Sequence, residues 1–176
     1  MTTSASPRTI RPGMWQADRG ATTATFAVRN MLLMTVTGTI PVTGASVRVA
    51  ADGTPTEVVA ELAPQGFSTG NDKRDEHVRG PEFLDAAAHP VMRFTSERIV
   101  ATGDGWTVVG SLALRGVTTT VELAVTVTEL GGESARVRAR GRIDRHQAGV
   151  TAMSNLMIGK DVAIDLDVTL RHSLQD

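Results

Sequence analysis

The chain of 176 residues contains no cysteine and no tyrosine, and its aromatic residues are four phenylalanines and two tryptophans. Without cysteine, neither disulfides nor thiolate metal sites can form. The scarcity of aromatic residues also argues against a protein that binds single-stranded nucleic acid, because such proteins stack the bases on aromatic side chains.

Long apolar runs are missing as well. No stretch approaches the roughly 20 apolar residues of a transmembrane helix. The polar start, MTTSASPRTIRPGMW, lacks the apolar core of a signal peptide. We therefore expect a soluble, cytoplasmic protein with no stable membrane insertion. The net charge is −1, so no overall attraction to nucleic acid is expected.

Apolar and polar residues instead alternate with a period of two along most of the chain, which is typical of antiparallel strands with one buried face. Turn signals such as ADGTP (51–55) and TGDG (102–105) separate these runs. The alternating runs are 23–28, 36–42, 46–50, 56–62, 92–100, 106–114, 117–127, 135–143 and 162–170.

About eight strands with hairpin spacing are compatible with a sandwich or a closed barrel, and closure would remove the exposed edges. A barrel of eight strands can also enclose one small ligand. The one long interruption, 68–90, is expected to hold a short helix near 81–87, because Pro81 suits a first helical turn. We expect one domain over 14–172, preceded by a flexible segment at 1–13.

Four arginines occupy every second position of ARVRARGRIDR (135–145). As a functional feature, the row would be a nucleic-acid-binding patch. The neighbouring strand, however, carries Asp165 and Asp167 on its polar face, and such carboxylates would spoil a phosphate-binding surface. We therefore interpret the row as a solvated outer face with cross-strand ion pairs.

The opposite face of the same strand is formed by small residues, among them Ala139 and Gly141. A solid barrel core would fill this space with bulky side chains. The pattern therefore allows two interpretations, an interior cavity or a core filled by large residues from other strands, such as Phe94 and Trp106.

The densest polar cluster is NDKRDEHVRGPEFLD (71–85). Asp75 and His77 could act as an acid and a base or as metal ligands, but two ligands at i and i+2 without a third are a weak signal. We favour a structural loop, and we expect no metal, no cofactor and no enzymatic activity.

Two apolar runs do not alternate, NMLLMTV (30–36) and MSNLMIG (153–159), and they contain four of the seven methionines. These methionines, Met31, Met34, Met153 and Met157, could be ordinary core. Because methionine adapts to irregular shapes, they could also form a flexible apolar mouth or a dimer contact.

The order of motifs from 15 to 170 resembles the YceI-like family of lipocalin-like barrels. The matching segments are WQAD and ATFAVRN within 15–30, VTGTIPV (36–42), GFSTGNDKRDEHVRGPEFLDAAAHPVMRFTSERI (66–99), GSLALRGVTTTVELAVTV (110–127), IDRHQAGV (143–150) and IGKDVAIDLDVTL (158–170). The resemblance implies a single eight-stranded antiparallel barrel around a long apolar tunnel. It also implies a bound polyisoprenoid or acyl chain and a homodimer.

The expected function is therefore non-covalent storage, carriage or sequestration of a long apolar lipid. The alternative is a filled barrel that acts through dimer or partner contacts. Residues expected to line the tunnel are Phe26, Val28, Met31, Leu33, Met34, Phe67, Phe83, Phe94, Trp106, Leu112, Leu114, Val121, Leu123, Ala139, Gly141, Met153, Met157 and Leu166. Polar residues expected to contact a head group or to support the structure are Arg29, Arg74, Asp75, His77 and Arg79.

Overall fold

The computed structural model describes residues 9–30, 34–154 and 157–174. Within these ranges the chain forms one sheet of ten strands and one short α-helix. The strands are β1 Gly13–Ala17, β2 Thr23–Asn30, β3 Met34–Ile40, β4 Val42–Val49, β5 Pro55–Leu62, β6 Met92–Ala101, β7 Gly105–Leu114, β8 Val117–Leu130, β9 Ser134–Asp144 and β10 Asp161–Ser173. The helix α1 is Asp72–Arg79, and short 3-10 turns lie at Arg19–Ala21 and Pro64–Gly66.

The ten strands form an eight-stranded barrel, because two of its strands are interrupted. β1 and β2 both pair with β10, on either side of the 3-10 turn at Arg19–Ala21. β3 and β4 are separated by Pro41, and they pair with β2 and β1 respectively. Every other strand pairs antiparallel with the next, and the β1–β10 pairing closes the ring. The predicted eight-stranded antiparallel barrel is confirmed.

The arginine row lies on the outer face of β9, as its alternation predicts. Arg136 binds Asp167 through Nε and Nη2 at 2.9 and 2.8 Å, and Arg138 binds Asp165 in the same way at 3.0 and 2.7 Å. Each arginine reaches diagonally, because the residue directly opposite Asp165 is Arg140. A shift of one residue would bury the arginines, so these pairs and the apolar inner face specify the same register.

The short helix lies in the predicted loop but at another place in it. The expectation of a helix near 81–87 is wrong, since α1 spans Asp72–Arg79. Asn71 caps it by accepting a hydrogen bond from the backbone N–H of Arg74 at 3.1 Å. The segment after Gly80 forms turns, with Asp85 at a φ of +47°. Among the described residues, no helix is long and apolar enough to cross a membrane.

The two ends of the barrel carry different connections. The helix end, as we call it, holds the segment 63–91 with α1, the turn at 115–116 and the segment 145–160. The hairpin end holds the tight turns at 50–54, 102–104 and 131–133 and residues 9–12. Residues 1–8 of the expected flexible segment lie outside the described residues, and Ile10, further along it, is buried.

Candidate functional site

A cavity of about 600 Å³ occupies the interior of the barrel. Its wall is built from the inward faces of the strands, and aliphatic side chains such as Val121, Ala139 and Leu166 dominate it. The longest strand, β8, has 14 residues and therefore runs for roughly 45 Å, which at the usual barrel tilt of about 40° corresponds to a height of roughly 35 Å. Because the barrel encloses this cavity, its interior is not a fully packed core. Its interior has the size and the apolar lining of a ligand site.

The hairpin end of the cavity is closed by buried apolar side chains. Trp15 is only 1 % exposed, and Ile10 and Val49 beside the same end are also buried. The Trp15 indole donates a hydrogen bond from Nε1 to the carbonyl oxygen of Arg11 at 2.9 Å, and its ring meets His172 edge-on. The indole is thus held in place, and the described residues leave a ligand no entry at this end.

The helix end of the cavity is open. Met153 and Met157 line the cavity, yet they are 45 % and 37 % exposed to solvent. Both methionines belong to the segment 145–160, which covers the helix end, so they lie at the rim of the cavity. This position supports the interpretation of the pair as an apolar mouth, and a dimer contact at the same place stays a prediction.

Polar lining residues are concentrated at the same end. Among the residues that the structure describes, seven polar ones line the wall. Five of them lie at this end, namely Asn30, Thr69, Arg74, His77 and Arg145. His77 is held by Glu82, with 2.8 Å between Nε2 and Oε2, and its ring stands edge-on to Phe83. A long amphiphile in this cavity would therefore have its apolar chain in the barrel and its polar group at the helix end.

A polar network of three residues joins the first turn of α1 to Thr69 in the preceding segment. The Thr69 hydroxyl donates to Oδ1 of Asp75 at 2.6 Å, and it accepts from Nε of Arg74 at 2.8 Å. Burial raises the pKa of Asp75, but the hydrogen bonds from Thr69 and the charges of Arg79 and Arg74 outweigh it, so the pKa lies below its usual value. Asp75 is thus a buried carboxylate that orients its neighbours.

Arg145 organises the segment 145–160 from within. It is buried, and its guanidinium donates five hydrogen bonds of 2.8 to 3.0 Å to backbone carbonyl oxygens. The accepting residues are Val150, Ala152, Met153, Ile158 and Gly159. Burial lowers the pKa of Arg145 below its usual value. A guanidinium has five N–H donors, so this side chain has none left for a ligand.

The structure brings most of the residues expected to line the tunnel together around the cavity. Those in the wall are Phe26, Val28, Phe67, Phe83, Phe94, Trp106, Leu112, Leu114, Val121, Leu123, Ala139, Met153, Met157 and Leu166. Met31 and Leu33 lie outside the described residues.

Two expected lining residues are not in the wall. Met34 begins β3 beyond the rim and is 65 % exposed. Gly141 faces inward, but a Cβ there would lie 2.5 Å from the carbonyl oxygen of Glu122, so the glycine allows close strand approach and does not provide volume.

Of the five expected polar residues, Arg74 and His77 line the cavity. Asp75 lies buried behind Thr69, and Arg79 donates from Nε to the carbonyl oxygen of Phe67 at 3.0 Å. Arg29 is exposed, and its backbone pairs with Gly159. Asp75 and Arg79 therefore do not line the cavity, but they bind Thr69 and Phe67, which do.

Sequence reasoning missed Arg145, Thr69 and Asn30. Arg145 did carry a signal, because it stands at an odd position, in phase with the inward-facing Ile143 and out of phase with the exposed arginine row. Thr69 and Asn30 carry none, since a threonine in a loop and an asparagine at a strand end are both ordinary. No cluster of three or more potential metal-binding histidines or carboxylates occurs in the described ranges.

Comparison with protein families places residues 15–170 within a model described as the YceI-like domain. A UPF0312 protein of Yersinia pestis is 36 % identical over 88 residues, which are 47 % of this chain and 46 % of that protein. The chain thus spans about half the length of the curated relatives it matches.

The similarity to solved structures covers more of the chain than the similarity to the curated sequences does. BcnA of Burkholderia cenocepacia superposes with a TM-score of 0.76 at 18 % identity, covering 87 % of this chain and 98 % of that one. A polyisoprenoid binding domain from Saccharophagus degradans superposes with a TM-score of 0.69 at 17 % identity, covering 90 % and 98 %. At such identities the likeness is one of fold.

Proposed function

The chain belongs to the family of YceI-like domains, and from that premise we propose that its barrel binds one long apolar lipid, such as a polyisoprenoid or an acyl chain. The observation that carries the proposal is the cavity, which is apolar along the barrel, closed at the hairpin end and open at the helix end. The description of the Saccharophagus degradans neighbour as a polyisoprenoid binding domain supports the same ligand class.

Binding of this kind needs no covalent chemistry. Each methylene that leaves water contributes about 0.8 kcal/mol, so a chain of many carbons supplies its own driving force. The protein contributes a dry wall of fixed shape and a polar group at one end. We therefore propose a carrier, a store or a sequestering protein and not an enzyme.

The homodimer and the cytoplasmic location expected from the sequence remain proposals. Exposed apolar side chains at the helix end, namely Met34, Val91 and Val117, are candidates for contact with a second copy. Sedimentation equilibrium would give the oligomeric state. A monomer at micromolar concentration would contradict the dimer and leave the lipid proposal intact.

The lipid proposal is tested by titrating the delipidated protein with geranylgeraniol, a neutral C20 isoprenoid. Trp106 lies in the cavity wall, so its fluorescence should change on binding and saturate at one ligand per barrel. Farnesol, with one isoprene unit fewer, should bind more weakly, because fewer methylenes are buried. Absence of saturable binding for both alcohols would contradict the proposed function.

A further inference from the structure

The charged groups in the cavity wall are all of one sign. Arg74 and Arg145 line it at the helix end, and no aspartate or glutamate lines it among the described residues. The backbone contacts of Arg145 account for its burial, but a cavity that needed only to hold a hydrocarbon would gain nothing from a second guanidinium group, since burying charge is costly. The wall is thus electrostatically suited to a negatively charged group.

The two guanidinium groups differ in how many of their N–H donors remain available for a ligand. Arg145 uses every donor on backbone carbonyl oxygens, so it contributes positive potential only. Arg74 uses Nε on the Thr69 hydroxyl, and in the described part of the chain no hydrogen bond or ion pair reaches its Nη1 or Nη2. Arg74, which lines the cavity and is half-buried, therefore has the N–H donors of both Nη atoms available for a ligand.

The buried carboxylate of Asp75, on the residue next to Arg74, does not cancel this charge. Asp75 receives two hydrogen bonds from Thr69 on one oxygen, from the backbone N–H at 2.9 Å and from the hydroxyl at 2.6 Å. The charges of both Arg79 and Arg74 act on it. Two guanidinium groups and one carboxylate leave one positive charge in excess, and the Thr69 hydroxyl fixes the orientation of Arg74.

We infer that the lipid carries an anionic head group, a carboxylate or a phosphate, and that Nη1 and Nη2 of Arg74 bind its oxygens at the helix end of the cavity. This inference rests on the proposed function. Planar guanidinium groups bind carboxylate and phosphate oxygens in pairs, and such charge-assisted hydrogen bonds are about twice as strong as neutral ones. The ligand class is thus an acidic single-chain amphiphile.

The test compares ligands that share a chain and differ in the head group. Geranylgeranyl phosphate is paired with geranylgeraniol, and hexadecanoate with hexadecanol, in titrations of the delipidated protein. The variants are Arg74→Gln, Arg74→Lys and the matched control Lys73→Gln. Lys73 is the adjacent, exposed residue of α1 and lies outside the cavity wall, so the control removes the same charge from the same helix.

Wild-type protein should bind at least one of the two acids about tenfold more tightly than its alcohol, since a hydrogen bond to a charged group contributes on this scale. Arg74→Gln should abolish that preference, and a circular dichroism spectrum and a Tm close to those of wild-type protein would show that the variant is folded. Arg74→Lys should keep part of the preference, and Lys73→Gln all of it. Which acid is preferred distinguishes phosphate from carboxylate.

Equal binding of acids and alcohols by wild-type protein would overturn the head-group inference and leave the proposed function standing. A preference for acids that survives in Arg74→Gln would also overturn it, because the anion would then be bound elsewhere. Failure of all four ligands to bind would instead contradict the proposed function itself.

Discussion

The ring of Phe94 packs against Gly110 and occupies the space that a side chain at position 110 would need. A Cβ on Gly110 would lie 2.5 Å from Cζ of Phe94 and 2.4 Å from the carbonyl oxygen of Thr95. Phe26 and Gly38, which face each other on β2 and β3, repeat the arrangement, with 2.5 Å between that virtual Cβ and Cζ of Phe26. Both rings therefore lie flat against the wall and leave the centre of the barrel free.

Gly110→Ala should lower the free energy of unfolding by about 1–3 kcal/mol, the usual cost of overpacking, and should weaken binding of geranylgeraniol by pushing the Phe94 ring inward. The matched control is Gly44→Ala, another strand glycine, where an added Cβ would have no atom within 4 Å. Chemical denaturation and ligand titration of both variants test this. Equal stability of the two would mean that the close approach at Gly110 has no energetic consequence.

Ala139→Trp tests whether the cavity is the ligand site. Ala139 lies in the wall on β9, so an indole there should fill space that the lipid occupies. We expect binding of geranylgeraniol to weaken at least tenfold, with a small change in Tm. Ala124→Trp is the control, because Ala124 is exposed on the outer face of β8. Strong destabilisation by Ala139→Trp with no recoverable lipid binding in wild-type protein would indicate a packed core.

Arg145→Lys should destabilise the segment 145–160. A lysine has three donors, so at least two of the five carbonyl oxygens would lose their partner, at a cost of about 1 kcal/mol or more for each. Hydrogen exchange should accelerate at Val150 and Ile158. The control, Arg142→Lys on the exposed face of β9, should change stability by less than about 0.5 kcal/mol. Similar exchange in both variants would contradict the role assigned to Arg145.

The ion pairs on the outer face predict a loss of stability in acid. Hydrogen bonds from Arg138 and Arg136 lower the pKa of Asp165 and of Asp167 below the ordinary value of 3.8. Their contribution is therefore fully present above about pH 4 and disappears as the pH falls through the lowered pKa values.

Asp165→Asn combined with Asp167→Asn should lower Tm at pH 7 by at most a few degrees, because the pairs are exposed to solvent. The difference from wild-type protein should shrink as the pH is lowered from 4 to 2. Thermal unfolding monitored by circular dichroism at several pH values measures this. A difference that stays constant with pH would show that the pairs do not act through ionisation.

The alternation of apolar and polar residues made the barrel predictable. The arginine row made the register of β9 predictable, because a shifted register would bury those arginines at a large cost in free energy. The helix was misplaced because Pro81 is a familiar first-turn residue. Asn71, which caps α1, has a weaker signal that depends on the backbone shape around Gly70, at a φ of +82°.

The candidate site was predictable where it follows from alternation and not where it depends on loops. Leu112, Val121 and Leu166 face inward simply because their neighbours face outward. The carbonyl oxygens that bind the Arg145 guanidinium belong to residues 5 to 14 positions further along an irregular segment. No periodic pattern in the sequence predicts such contacts.

The central claim, that this barrel holds a long apolar lipid, is tested most directly by mass spectrometry of a chloroform extract from the purified protein. We predict one class of long-chain lipid at close to one molecule per barrel, absent from an equal quantity of Ala139→Trp purified in parallel. An extract with no more lipid than a solvent blank, together with no uptake of geranylgeraniol by the same preparation, would contradict the claim.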